Sequence, residues 1–150
     1  MKYPIGIQDF EKIIEDGYVY VDKTDLVYKL ANEGHVYFLS RPRRFGKSLL
    51  ISTLKYYFQG RKDLFKGLAI DKLEKEWAVY PVFHISFGTA NFTKPGTLDD
   101  VIDKYLSDAE NDYQIKTKVK DYGLRFKDIL KAAHKEAGRR AVVLIDEYDK

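Results

Sequence analysis

Two groups of residues in this chain have the types and order that phosphate chemistry requires. The first is Ser40-Arg41-Pro42-Arg43-Arg44-Phe45-Gly46-Lys47-Ser48, lying between an apolar run and a helical pattern. In a strand–loop–helix context, backbone N–H groups of the loop and of the new helix converge and can cradle an anionic phosphate. Gly46 lets the backbone approach without a Cβ in the way. Lys47 can reach the β- and γ-phosphates as a mobile point charge, and the Ser48 hydroxyl can ligate Mg²⁺. The second group lies far downstream, where Ala141-Val142-Val143-Leu144-Ile145 delivers Asp146 and Glu147 to a strand end. Asp146 suits the role of Mg²⁺ carboxylate, often through water. Glu147 suits the role of general base for an attacking water. Asp149 is nearby and has no assigned part.

The loop departs from the usual G-x-x-x-x-G-K-[ST] pattern. Arg41 stands where the first glycine belongs, and Pro42 removes a backbone donor. Either the phosphate nest is narrower than usual, or its grip leans on arginine side chains. The candidate nucleotide-binding residues are therefore Arg41, Arg43, Arg44, Phe45, Gly46, Lys47, Ser48 and Leu49. Gly-Lys-Ser alone can be a plain helix start, and an apolar strand ending in acids is common. Together, in this order and with these flanks, they make coincidence a poor account. The cluster Arg41, Arg43, Arg44 and Lys47 suits nucleotide phosphate, a nucleic-acid backbone or an acidic partner. Its place beside the lysine loop favours nucleotide. Lys116-Thr117-Lys118-Val119-Lys120 is a further basic stretch, of a kind that more often marks a solvated surface.

These residues need a sheet edge to hold them. Tyr18 to Val21 alternates like a small strand. Asp22 or Thr24 can cap a helix that presents Leu26, Val27, Leu30 and Ala31 on one face and stops at Gly34. Val36-Tyr37-Phe38-Leu39 is a continuous apolar run suited to a strand buried on both faces. From Lys47, Leu49, Leu50, Thr53, Leu54, Tyr57 and Phe58 form a helical stripe that Gly60 ends. A helical piece is expected within Ile70–Trp77, and a second strand over Val82–Phe87. After a polar loop, Gly88 to Gly96, Thr97 can cap a helix with Asp100 three residues on. That helix carries Val101, Ile102, Tyr105, Leu106 and Ala109. Another runs through Phe126, Ile129, Leu130 and Ala133 to Gly138, before the strand at 141–145. Strands alternating with helices predict an α/β fold with a mostly parallel sheet. Ligands of such sheets sit at the C-terminal strand ends, where both motifs fall.

Composition sets the bounds. The chain has 150 residues, 45% hydrophobic and 33% charged, which fits one folded domain and argues against disorder. Its net charge of +3 is too small to imply nucleic acid by itself. It has no cysteine, so a disulfide framework and a cysteine metal site are excluded. The N-terminus carries acids where a signal peptide needs an apolar stretch. No apolar run reaches the ~20 residues of a membrane span. A soluble, cytoplasmic protein is the expectation. His84 within a strand, and His35 and His134, have no metal-ligand companion at useful spacing. Trp77 reads as packing, or as an aromatic that stacks on a base.

The string Phe38-Leu39-Ser40-Arg41-Pro42-Arg43-Arg44-Phe45-Gly46-Lys47-Ser48-Leu49 resembles the bacterial AAA-ATPase-like family. So do Tyr20-Val21-Asp22-Lys23-Thr24 before it and Leu144-Ile145-Asp146-Glu147-Tyr148-Asp149 after it. Tyr3-Pro4-Ile5-Gly6-Ile7 and Leu64-Phe65-Lys66-Gly67-Leu68 extend the likeness over nearly the whole chain. The resemblance implies a three-layer P-loop NTPase fold of AAA-like type. Residues 1–34 would form an opening segment and helix, and residues 35–150 a nucleotide-binding core that is incomplete at its C-terminus. It implies ATP and Mg²⁺ as ligands, Walker A and Walker B roles for the two motifs, and Arg41 as the family's habit. Members often carry a C-terminal nuclease-like domain of the PD-(D/E)XK type, through which nucleic acid becomes a partner. Related ATPases often complete their sites from a neighbouring subunit, so an oligomer stays open. A degenerate nucleotide-binding scaffold without turnover, or the ATPase part of a nuclease-linked nucleic-acid-processing protein, stand as alternatives. The later strand with its polar sensor is not among these residues. The 150 residues alone are therefore expected to have reduced stability and little or no turnover.

Overall fold

The structure, a computed structural model, describes residues 1–33, 47–87 and 94–146. The expected strand at 36–39, the arginine-rich turn, most of the 88–96 loop, Glu147 and Asp149 lie outside the described residues. The chain divides into two compact units, Met1–Val79 and Tyr80–Lys150. The described residues make an α/β structure with seven helices and a small parallel sheet of two strands.

The first unit is helical. It contains α1 (Phe10–Glu15), α2 (Thr24–Glu33), α3 (Lys47–Phe58), α4 (Lys62–Phe65) and α5 (Ala69–Leu73). Asp9 caps α1 by accepting from the Lys12 N–H at 3.1 Å. The core gathers around Phe65, which is fully buried. Its ring stacks on Phe10 at 4.8 Å and lies 5.3 Å from Trp77 and 6.4 Å from Tyr57, centroid to centroid. Such aromatic pairs add to the stabilisation from buried area. Helices α1, α4 and α5 are too short to persist without this packing.

Asp22-Lys23-Thr24 does more than start α2. The Asp22 carboxylate accepts from the Thr24 N–H at 2.9 Å and hydroxyl at 2.6 Å, and its other oxygen accepts from Ala69 N at 2.8 Å. The Thr24 hydroxyl in turn accepts from Ile70 N at 3.0 Å. Leu68, the N-cap of α5, supplies no side-chain bond, so two N–H groups of α5 are capped from across the fold. Gly60 turns the chain after α3 at φ +71°, where a Cβ would meet Val79 Cγ2 at 2.9 Å and the Trp77 carbonyl at 3.0 Å. Glycine is thus required there both by conformation and by space.

The second unit has the order β1 (Val82–Ser86), α6 (Thr97–Asp112), α7 (Tyr122–Ala137) and β2 (Val142–Asp146). The strands pair in parallel from Val82↔Val142 to Ser86↔Asp146. Phe83, Leu106, Ala109, Ile129 and Ala133 form the core. Asp121 caps α7 through the Leu124 N–H, and Gly138 ends it at φ 70°. Between the helices, Arg125 is 8% exposed and Glu110 7%. Arg125 donates to Glu110 at 2.7 and 3.3 Å, to Asp103 at 2.7 Å and to Ser107 at 3.2 Å. The Glu110 and Asp103 carboxylates that accept these bonds push the guanidinium pKa further up, so Arg125 stays charged.

Several expectations need correction. Residues 18–21 form no strand; among the described residues they have no ladder partner, and alternation alone does not make a strand. Val19 N donates once, to the Lys2 carbonyl, and Tyr20 packs edge-on to Phe10 at 5.2 Å. Thr97 is the first helical residue and not the cap. Gly96 holds the cap position in the left-handed region without a side-chain bond. The helical piece expected over part of 70–77 is present as α5, and Trp77 beyond it sits at φ 49°. Helices α1 and α4 were not foreseen. Among the described residues, no helix is long and apolar enough to cross a membrane.

Phe65→Ala should cost about 3–5 kcal/mol by removing the centre of the first core, measured by denaturant unfolding. Arg125→Leu should cost about 3–5 kcal/mol by leaving Glu110 buried without its partner. Arg125→Leu with Glu110→Leu should recover most of that loss, and an additive double variant would contradict the pairing. Burial alone would raise the Asp22 carboxyl, but the bonds from Thr24 and Ala69 outweigh it and hold its pKa below the usual value. A depressed folded pKa contributes stability at neutral pH that fades as pH falls through that folded pKa. Asp22→Asn should therefore cost about 0.5–1.5 kcal/mol at pH 7, since the site is partly solvated. The difference should shrink as the melts are taken to pH values below the ordinary carboxylate range.

Candidate functional site

Of the expected phosphate loop, Lys47, Ser48 and Leu49 fall within the described residues, on the first described turn of α3, all three half-buried. Arg41, Arg43, Arg44, Phe45 and Gly46 lie outside them. The sequence makes α3 a strongly tethered helix. Ser52 and Tyr56, one turn apart, both donate to Asp9 Oδ1, at 3.2 and 2.8 Å. The Ser52 hydroxyl also accepts from Phe10 N at 2.8 Å. The N-terminus of α1 is thus pinned to the middle of α3. Thr53 is buried and donates back to the Leu49 carbonyl at 2.7 Å, tying its own turn to the one that carries the lysine.

Leu49, Leu50, Leu54 and Phe58 pack against the core cluster, and the Tyr57 hydroxyl donates to Glu74. Burial raises the Tyr57 phenol, and the Glu74 carboxylate raises it further, so it remains a donor at all ordinary pH. Burial likewise raises Tyr20, beside Thr53, to about 12. The helix that presents Lys47 and Ser48 is therefore held both by hydroxyl bonds from Ser52, Tyr56 and Tyr57 and by the packing of Leu49, Leu50, Leu54 and Phe58. Ser52, Asp9 and Tyr56 were not singled out from sequence; the small polar residue interrupting an apolar helical stripe at 52 was the available sign.

The second unit supplies the acidic strand. Asp146 ends β2 with only 6% of its surface exposed. Its backbone carbonyl accepts from Phe87 N at 3.2 Å. Its Oδ1 is buried and has no hydrogen-bond partner among the described residues. A buried carboxylate oxygen without a donor is costly, so it calls for a proton, a donor or a cation. A hard divalent cation with oxygen ligands fits that atom. Among the described residues no group of three or more His, Cys, Asp or Glu could hold a metal ion.

Opposite Asp146 stands Ser86, at the end of β1. Sequence reading treated it as an ordinary strand residue; only the register brings it beside the acid. A cleft of about 380 Å³ lined by Val82, Phe83, Tyr113 and Glu136 lies toward the start of β1, at the other end of that strand. It is therefore not the predicted nucleotide site.

A family model described as "Predicted AAA-ATPase" matches residues 4–150. The chain belongs to the AAA-ATPase-like family. The family match takes in the lysine loop, the Asp22-Lys23-Thr24 clamp and the acidic strand together. This AAA-ATPase-like chain is also 44% identical over 151 residues to a protein of Azotobacter chroococcum mcd 1, described as an uncharacterized protein in the vnfD 5' region. The match covers 99% of this chain and 29% of that relative, so the chain spans under a third of the relative's length. No solved structure matches the chain.

If Asp9 sets the placement of α3, Asp9→Ala should strand the Ser52 and Tyr56 hydroxyls and uncap α1. A loss of about 1–3 kcal/mol is expected in denaturant melts. A melt unchanged by Asp9→Ala would show that α3 is held by its apolar face alone.

Proposed function

We propose that this chain is the ATP-binding part of a Mg²⁺-dependent ATPase. The observation that carries the reading is Asp146 Oδ1, a buried carboxylate oxygen without a donor among the described residues, at the C-terminal end of a parallel strand. Family membership and the Gly46-Lys47-Ser48 sequence support it.

In this reading Lys47 draws the β- and γ-phosphates toward the loop through charge, while the arginines Arg41, Arg43 and Arg44 reinforce an anion grip that lacks the first glycine. Phe45, Gly46 and Leu49 complete the nucleotide-binding segment. Ser48 and Asp146 would hold Mg²⁺. The bound cation would neutralise charge on the phosphate oxygens as the γ-phosphoryl group departs. Glu147 would orient a water in line with the γ-phosphorus and take its proton as the new P–O bond forms. The P–O bond to ADP breaks, and the products are ADP and inorganic phosphate. Because the chain covers 29% of the matched relative, the whole protein's turnover, and any nucleic-acid partner through a nuclease-like domain, belong to the proposal and not to these residues.

The test is titration with ATP, with and without Mg²⁺, beside single variants. Lys47→Ala should weaken ATP binding by about tenfold or more, the loss of a charge-assisted phosphate contact. Glu147→Gln should bind ATP like the parent and fail to release phosphate. Asp146→Asn should remove the Mg²⁺ dependence of binding. Equal ATP affinity in the parent and in Lys47→Ala would sink the proposal. Tight binding without phosphate release in the full-length parent would make the domain a nucleotide-responsive scaffold.

A further inference from the structure

Ser86 ends β1 as Asp146 ends β2, and the parallel register sets them opposite each other. Residues directly opposite on neighbouring strands share a face of the sheet, on backbones ~4.8 Å apart. The Phe87 N–H bond to the Asp146 carbonyl, 3.2 Å, carries this pairing past the strand ends. A hydroxyl and a carboxylate thus emerge side by side where one carboxylate oxygen is buried without a donor among the described residues. The two are not equivalent. Asp146 is 6% exposed, whereas Ser86 is open to solvent. Serine also carries its oxygen one carbon closer to the backbone, so the hydroxyl stands back from the carboxylate head.

That set-back fits a water between them. Mg²⁺ bound by few carboxylates keeps several waters at ~2.0–2.1 Å. Each such water donates to an acceptor roughly 2.7–2.8 Å further out. We propose that Ser86 is a positioning residue for the cation site: its Oγ accepts a hydrogen bond from a water carried by the divalent cation that Asp146 holds. This rests on Asp146 being the cation's carboxylate. In the sheet the hydroxyl costs little to place, since the register is fixed by backbone bonds. It then orients the hydration shell of the cation and, through it, the face turned toward the phosphates.

The experiment titrates Mn²⁺ into the chain saturated with a non-hydrolysable ATP analogue and follows bound Mn²⁺ by electron paramagnetic resonance. Ser86→Thr and Ser86→Val have the same branched shape and differ by one hydroxyl. Ser86→Thr should hold Mn²⁺ within about twofold of the parent, and Ser86→Val should bind it about tenfold more weakly. Both should melt alike and bind the analogue alike without metal. Mn²⁺ affinity in Ser86→Val equal to that in Ser86→Thr overturns the proposal. Should the valine variant fail to fold, Ser86→Ala against the parent makes the same comparison without added bulk. Asp146→Asn separates the two ideas. If it loses Mn²⁺ while Ser86→Val keeps it, only the role of Ser86 falls. If Asp146→Asn binds Mn²⁺ as the parent does, the cation reading of Asp146 falls and the proposal with it.

Discussion

A carboxylate oxygen enclosed by protein, without a donor, is a standing electrostatic debt, and Asp146 Oδ1 holds that position among the described residues. Leaving such a group unsatisfied costs on the order of 1–3 kcal/mol or more, which a domain of modest stability does not carry idly. The surrounding strand explains why the atom cannot simply turn to water. Leu144 precedes it by one repeat of the pleat and is itself buried, so the strand is committed to that face. The backbone of Asp146 is used as well, since its carbonyl takes the Phe87 N–H. The side chain is held where a positive charge would relieve it.

The other half of the chemistry depends on a different device. Helix α3 is fixed by polar bonds as much as by apolar packing. Asp9 gathers three donors, from Lys12 N, Ser52 and Tyr56, and in doing so serves two helices with one carboxylate. The Asp22–Thr24 pair repeats the idea for α2 and α5. In a unit built from short helices, each exposed helix end needs its N–H groups satisfied, and side chains from other helices supply the bonds. This gives a rigid frame from pieces that have little stability of their own.

Much of this was legible in the residues, and the parts that were not share a cause. Helices α3, α6 and α7 and strands β1 and β2 follow from period and caps, because each is long or continuous enough for its pattern to outweigh its surroundings. The parallel pairing of β1 with β2 likewise follows from strands alternating with helices. Helices α1 and α4 are six and four residues long and exist through contacts with distant segments, which no local window contains. Residues 18–21 failed in the opposite sense, having the local pattern without a partner strand among the described residues. At the candidate site, Lys47, Ser48 and Asp146 are picked out by type and order alone. Ser86 does not, since a serine in a strand acquires meaning only from the residue the register sets beside it. Asp22-Lys23-Thr24 was visible as a cap, while its grip on Ala69 and Ile70 spans more than forty positions of sequence.

The turn at Gly60 has a mechanical consequence. Its backbone fits so closely against Trp77 and Val79 that no larger residue has room. Trp77 and Val79 are the last stretch of the first unit before the chain passes into the second. Helix α3, about 18 Å long at 1.5 Å per residue, therefore has its lysine at one end and this junction near the other, with Ser52 and Tyr56 as the fulcrum between them. A side chain placed at 60 would have to push Val79 and the Trp77 carbonyl aside, and would loosen the far end of α3 from segment 77–79 within the first unit.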